Sequence, residues 1–124
     1  MIYLDTHVVA WLYAGTTHRL SATARRLIDR EPLRIAPIVL LELEYLFEIG
    51  RVRERAAPVV TALGRRLGLV ACDRDAALVT ARACDLAWTR DVFDRLIVAQ
   101  ASLGPDTLIT VDSRILANYS KARA

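Results

Sequence analysis

The chain has 124 residues, 54% of them hydrophobic, and a formal net charge of +3. That length and apolar content predict one domain over residues 1–124 with a real core. No apolar run approaches the roughly 18 residues of a membrane span, and no charged leader precedes an apolar segment and cleavage site, so the expectation is a soluble cytoplasmic protein without a membrane partner.

The first apolar run, Ile2 to Leu4, predicts a strand, followed by a helix around His7 to Tyr13 that Gly15 and Thr16 close. Ser21 is a natural N-cap for a helix reaching Arg30, with Ala22, Leu27 and Ile28 inward and Arg25, Arg26 and Arg30 outward. Leu33 to Ala36 reads as a short strand. Pro37 suits the first turn of a helix that runs to about Ile49 and stops at Gly50. A further helix is predicted over Arg53 to Leu67, broken by Gly68 before a strand at Leu69 to Cys72. Asp75 to Leu86 is helical in pattern, and Ala87 to Arg90 forms a loop. Phe93, Leu96, Ile97 and Ala101 recur at helical spacing within Val92 to Ser102, and Gly104-Pro105 separates that helix from a strand at Thr107 to Val111. A short helix at Ser113 to Tyr119 ends the pattern. Short strands alternating with helices predict parallel βαβ units, hence an α/β fold with an open, mainly parallel sheet of four to five strands and helices on both faces.

Sixteen arginines accompany a single lysine, Lys121. Arginine suits bidentate phosphate recognition, although a modest positive charge also fits an ordinary solvated surface. The two cysteines, Cys72 and Cys84, lack metal-type spacing and are expected to be free, mostly buried thiols.

Four acidic residues adjoin apolar segments, where an uncompensated charge is costly: Asp5 in IYLDT, Glu42 in IVLLELEYL, Asp94 in RDVFDRLIVAQA and Asp112 in TLITVDS. Asp5 and Asp112 follow predicted strands, where open parallel sheets bind ligands, yet each is equally placed to cap a helix. Glu42 is the sharpest, since its helical neighbours Ile38, Val39, Tyr45 and Leu46 are apolar, whereas Glu44 and Glu48 read as a solvated strip. Asp91 stands at an N-cap and Asp94 on the first turn behind it, facing the cluster. Two carboxylates about 4 Å apart repel by about 4 kcal/mol at an effective dielectric near 20, so a converging set requires a cation. All-oxygen ligands select Mg²⁺ or Mn²⁺, and the absence of a Cys/His cluster argues against structural zinc.

The blocks IYLDTHVVAWL, IVLLELEYLFEIGRV, RDVFDRLIVAQA and LITVDS resemble those of PIN-domain ribonucleases of the VapC toxin type over most of the chain. The resemblance implies that Asp5, Glu42, Asp94 and Asp112 are catalytic metal ligands, with Asp91 as an auxiliary carboxylate and Thr6 and Thr110 at polar positions near the site. Two departures stand out: Thr89 and Val92 occupy places where the family often has His and Pro, and the chain ends NYSKARA where many members add an apolar strand. A haloacid-dehalogenase-type phosphatase would want a second aspartate two residues after Asp5, where His7 stands. A receiver domain would need a lysine near its acceptor, and Lys121 lies in the tail; Asp73 and Asp75 read as caps. His7, beside Trp11, reads as structural or substrate-adjacent.

The expected activity is Mg²⁺-dependent endoribonucleolytic cleavage by metal-activated water, without a side-chain nucleophile. Candidate phosphate contacts are Arg19, Arg90 and Arg95, the last of which could equally pair with Asp91 or Asp94. The resemblance further implies structured RNA such as transfer RNA as substrate, 5′-phosphate and 3′-hydroxyl products, a VapB-like antitoxin and a homodimer within a toxin-antitoxin complex. The helix Ile38 to Ile49 carries more apolar surface than one core stripe requires, which suits a groove or dimer face. The alternative is a non-catalytic α/β module that binds RNA or protein and uses its carboxylates as caps.

Overall fold

The computed structural model describes residues 1–124. Five strands form one wholly parallel sheet: β1 (Ile2–Leu4), β2 (Leu33–Ile35), β3 (Val70–Ala71), β4 (Thr107–Ile109) and β5 (Ala122–Arg123), in the spatial order β3-β2-β1-β4-β5. Seven α-helices connect them: α1 (Thr6–Ala14), α2 (Ala22–Arg30), α3 (Ile38–Glu48), α4 (Ala56–Leu67), α5 (Ala76–Cys84), α6 (Val92–Ser102) and α7 (Ser113–Asn118). A short 3-10 turn at Thr17–Arg19 lies between α1 and α2. The strands advance outward from β1 through β2 to β3, then the chain returns to β4 on the other side of β1. Right-handed crossovers in opposite directions cover opposite faces of the sheet. α1 packs against α3 and α4, while α5 packs against α6.

The order reverses between β1 and β4, and such a switch point opens a crevice beyond the carboxyl ends of the two strands. Asp5 follows β1 there, and its amide donates to the Ile109 carbonyl at 3.0 Å, tying the two strand ends together. The core beneath is apolar and continuous: Tyr3, Leu4, Val8, Val9, Leu43, Ile97, Leu108 and Ile109 are all essentially sealed from water. Each large aliphatic side chain among them stabilises the fold by about 1.5–3 kcal/mol through burial, so the polar rim rests on a rigid floor.

Local signals explain most boundaries. Gly15 and Gly68 adopt positive φ and end α1 and α4 with left-handed caps, a conformation that costs other L-residues more. Ser21 caps α2 by accepting from the Ala24 amide at 3.0 Å, and Asp75 caps α5 by accepting from Leu78. α6 spans the predicted residues.

Several expectations are corrected. Helix α4 starts at Ala56 rather than Arg53, because Glu44 reaches across from α3 to accept from the Ala56 amide and from Arg55. Glu44 is therefore a cap and an ion-pair partner, not part of a solvated strip. Ala22 is exposed, and Ala24 takes the inward place with Ile28, since the buried face of α2 begins one turn beyond its cap. Both cysteines are free, but Cys84 is exposed and Cys72 only half-buried: α5 turns Val79 and Ala83 toward Ala99 and leaves Cys84 outside. The C-terminal tail completes the sheet as β5, with Leu108 paired to Ala122 and Ile109 to Arg123. No helix is long and apolar enough to cross a membrane.

Candidate active site

The crevice at the switch point is a cavity of ≈ 310 Å³ with five carboxylates on its walls: Asp5, Glu42, Asp91, Asp94 and Asp112. His7, Trp11 and Val111 complete the lining. Four separate segments supply the acids, so their meeting is a property of the fold. Asp5 comes from the end of β1, Glu42 from the middle of α3, Asp91 and Asp94 from the start of α6, and Asp112 from the turn after β4.

Asp5 is the most deeply set, with 6% of its surface exposed. One carboxylate oxygen accepts from the Thr6 amide at 2.8 Å and the other from the Thr110 hydroxyl at 2.6 Å, which locks its orientation. Burial pushes its carboxyl above the ordinary range; those two hydrogen bonds and His7 oppose the rise, and Asp112 adds to it. The Thr110 hydroxyl works in both directions, because it also accepts from the Asp112 amide at 3.1 Å. One buried side chain thereby couples two acids.

Thr6 plays the matching part for Glu42. It is fully buried, and its hydroxyl donates to Glu42. Glu42 lies one turn from buried Val39 and Leu46, so its carboxylate leaves an apolar helix face. Burial raises its pKa first, the Thr6 hydrogen bond counters it, and Asp5 and Asp91 raise it further.

Asp91 and Asp112 cap helices. Asp91 accepts from the Asp94 amide at 3.0 Å, and Asp112 accepts from the amides of Arg114 and Ile115, each at 2.9 Å. Each spends one oxygen and keeps the other. The buried Thr89 hydroxyl supports this end of the cleft by accepting from the Asp91 amide at 3.1 Å.

Asp94 shows the electrostatic state of the cleft most directly. Its place in the first turn of α6 favours the anion, yet its pKa is pushed up to about 7 by burial and then by Asp91, Asp5, Asp112 and Glu42. Burial and the neighbouring charges outweigh the helix terminus. The cleft thus holds negative charge that no arginine or lysine neutralises, His7 being the one basic side chain on its wall; the ion pairs of the molecule are Arg55 with Glu44 and Arg74 with Asp106, both elsewhere.

The donor set, all carboxylate oxygen, matches a hard divalent cation, and the unneutralised charge favours one. As the side chains stand, no three His, Cys, Asp or Glu groups close around a single point. The reason is visible in the bonds above: Asp5, Glu42, Asp91 and Asp112 each turn at least one oxygen to a hydroxyl or an amide. The residues fit such an ion in charge and chemistry, and ligation would recruit the oxygens that capping leaves over.

The polar residues expected near the site divide into two groups. Thr6 and Thr110 are present as buried supports behind the acids. Arg19, Arg90 and Arg95 do not line the cleft: Arg19 lies over the Trp11 ring at 5.3 Å, Arg90 donates to the Ala87 carbonyl at 2.8 Å, and Arg95 donates to the Thr89 carbonyl at 2.9 Å. Arg95 forms no ion pair with Asp91 or Asp94. Trp11 is a lining residue that the acidic pattern alone does not reveal; its signal is the spacing of four from exposed His7, which puts both on one helix face.

The profile of the PIN domain family matches residues 2–121. None of the curated proteins matches the chain. Among solved structures, VapBC2 from Rickettsia felis bound to a DNA fragment from its promoter is similar with a TM-score of 0.67 and 21% identity, over 94% of this chain and 92% of that one. DNA-bound VapBC from Salmonella typhimurium is similar with a TM-score of 0.64 and 21% identity, over 98% of this chain and 94% of that one. At that identity the likeness is one of fold.

Proposed function

The chain belongs to the PIN-domain family, and from that premise we propose that it is a metal-dependent endoribonuclease, the VapC-type toxin of a type II toxin-antitoxin pair, in which residues 1–124 act as one PIN domain. The observation that carries the proposal is the convergence of Asp5, Glu42, Asp91, Asp94 and Asp112 on one cleft at the β1/β4 switch point. Capping accounts for Asp91 and Asp112 and partly for Asp5. It leaves Glu42 and Asp94 without a structural role, although both lose solvation by facing the cleft.

Asp5, Glu42, Asp94 and Asp112 would hold Mg²⁺, or Mn²⁺ in its place, with Asp91 as an auxiliary acid. When bound, such an ion activates water toward the phosphodiester and stabilises the leaving oxygen. The chain's own contribution is orientation and charge. Thr110 and the Thr6 amide hold the Asp5 carboxylate in one rotamer, and the Thr6 hydroxyl does the same for Glu42, so the ligands are positioned before substrate arrives. Without a cation, Asp94 holds its proton until about neutral pH. No serine, cysteine or lysine lines the cleft, in keeping with attack by water; 5′-phosphate and 3′-hydroxyl ends are the products proposed.

Structured RNA such as transfer RNA is the substrate class, and the cytoplasm the site of action. Arg19, Arg90 and Arg95 are the candidate phosphate contacts outside the cleft. A VapB-like antitoxin is the proposed partner, in keeping with the VapBC complexes among the structural neighbours. Homodimerisation would use α3, whose Leu41, Tyr45 and Ile49 are 58%, 45% and 49% exposed along one stripe. A non-catalytic module is the rival reading, and the capping bonds of Asp91 and Asp112 favour it. The two part on one experiment: purified protein with total transfer RNA and Mg²⁺ should release discrete fragments, and EDTA or Asp5→Asn should abolish them. Fragments that persist in folded Asp5→Asn protein, or a wild type inert with Mg²⁺ and Mn²⁺, would count against the nuclease.

A further inference from the structure

A second cavity, ≈ 450 Å³ in volume, opens beside the acidic cleft between α1 and the connection from α3 to α4. His7 and Trp11 line both cavities, so the two adjoin along the outward face of α1. Its walls are largely apolar and include Trp11, Tyr13, Val52 and Val59. Its rim is basic. Gly50, at φ 78, turns the chain after α3, and the amides of Arg51 and Val52 donate back to the Leu46 carbonyl, which fixes the connection so that Arg51 and Arg53 line the opening. The Arg19 guanidinium lies over Trp11 at 5.3 Å and that of Arg66 over Tyr13 at 5.5 Å. Glu54 is the one acid on this wall.

We propose that this groove is a nucleobase-stacking subsite, which receives an unpaired base next to the phosphate that enters the acidic cleft. The inference rests on the nuclease reading above and adds to it a rule of substrate selection. An RNA strand alternates flat apolar-faced rings with phosphates, and the two cavities alternate in the same sense: aromatic walls with an arginine rim, then a cation-demanding cleft. Arginine and aromatic planes are what single-stranded nucleic acid stacks upon, and the volume lies in the range of pockets that enclose small ligand groups. A peptide could fill the apolar part of the groove as well, but it lacks the regular alternation of flat rings and phosphates that matches an aromatic wall rimmed by Arg51 and Arg53 beside the acidic cleft. Because every base has a π-face, the subsite discriminates between unpaired and paired nucleotides more than between sequences. Cleavage is thereby directed to loops and splayed ends.

The test uses the full-length protein with Mg²⁺ and short, dye-labelled single-stranded RNAs of mixed sequence, each carrying one abasic ribonucleotide at a successive position. In the wild type, one abasic position flanking the cut should raise KM about tenfold or more, while distant positions leave it unchanged. Trp11→Ala should raise KM on intact RNA by a similar factor and lose its sensitivity to that abasic position, and Trp11→Phe should restore most of the difference. The abasic series on wild type decides the matter even where Trp11→Ala folds poorly. Equal tolerance of every abasic position overturns the subsite and leaves the nuclease standing. So does a Trp11→Ala enzyme with wild-type KM that fails to bind an antitoxin peptide, which would make the groove a protein-docking surface. A wild type that cleaves no RNA removes both readings together.

Discussion

Two polar clusters in this molecule treat partly buried charge in opposite ways. Around Arg74 every charge is matched: the guanidinium pairs with Asp106 at 2.5 Å, donates to the Gln100 carbonyl and lies over the Tyr3 ring at 5.2 Å. Tyr119 donates to the Asp106 carbonyl at 2.5 Å, and Gln100 donates to the Cys72 carbonyl at 3.1 Å. This cluster joins the segment after β3 to the loop before β4. In the acidic cleft five carboxylates form no ion pair, and His7 is the one basic side chain beside them. A cluster whose charges are paired internally ties its segments together, whereas one left short of counter-charge carries repulsion that an external cation would relieve.

The contrast predicts opposite responses to the loss of a charge. The largest effect is expected for Asp5→Asn, which keeps the shape and removes the anion: Mg²⁺-dependent cleavage should fall by on the order of a hundredfold or more, with the circular-dichroism spectrum unchanged. Arg74→Met should act on stability instead. It leaves Asp106 partly buried and unpaired, and after discounting for the 16–22% side-chain exposure of the pair the cost is about 2 kcal/mol, measurable as a shifted urea midpoint. Full stability in that variant would break the comparison. Next comes Thr110→Val, which frees Asp5 from its hydroxyl partner and should weaken Mg²⁺ affinity by roughly tenfold, read by calorimetric titration.

The smallest effect, and the sharpest in sign, concerns Asp94. Its folded-state pKa of about 7 stands above the ordinary 3.8, so the unfolded state releases that proton first. Without metal, wild-type stability should decline as pH rises from about 4 to about 7, because ionisation there costs more in the folded chain. Asp94→Asn should flatten this part of the profile and melt a few degrees above wild type at pH 8 in EDTA while cleaving RNA poorly. Mg²⁺ should raise the wild-type melting temperature most above pH 7. If Asp94→Asn proves less stable than wild type across the whole range, the cleft is not under electrostatic strain.

Much of the site was legible in the sequence because its signals are local. Asp5 and Asp112 follow apolar strands, Asp91 and Asp94 begin a helix of clear period, and Glu42 interrupts an apolar face. The arginines were harder. Arg90 and Arg95 spend their donors on the carbonyls of Ala87 and Thr89, contacts that depend on how a loop folds back and leave no trace in spacing. Trp11 is visible in the sequence only as the helical neighbour of His7, and its place on the cleft wall depends on how α1 packs in the fold.

What the sequence determined by itself is the succession of elements: glycines at positive φ, Ser and Asp caps, and apolar periods each act within a few residues and need no tertiary partner to be read. The tertiary structure decided what those elements meet. It delayed α4 to Ala56, because a glutamate from another helix captured the amide there. It added β5, a two-residue strand too short for a pattern but stabilised by an open edge of β4. It also brought four segments to one switch point, where carboxylates that are ordinary on separate elements crowd into one cleft and repel. Repulsion and burial depend on distance in space, and that distance exists only once the sheet has formed.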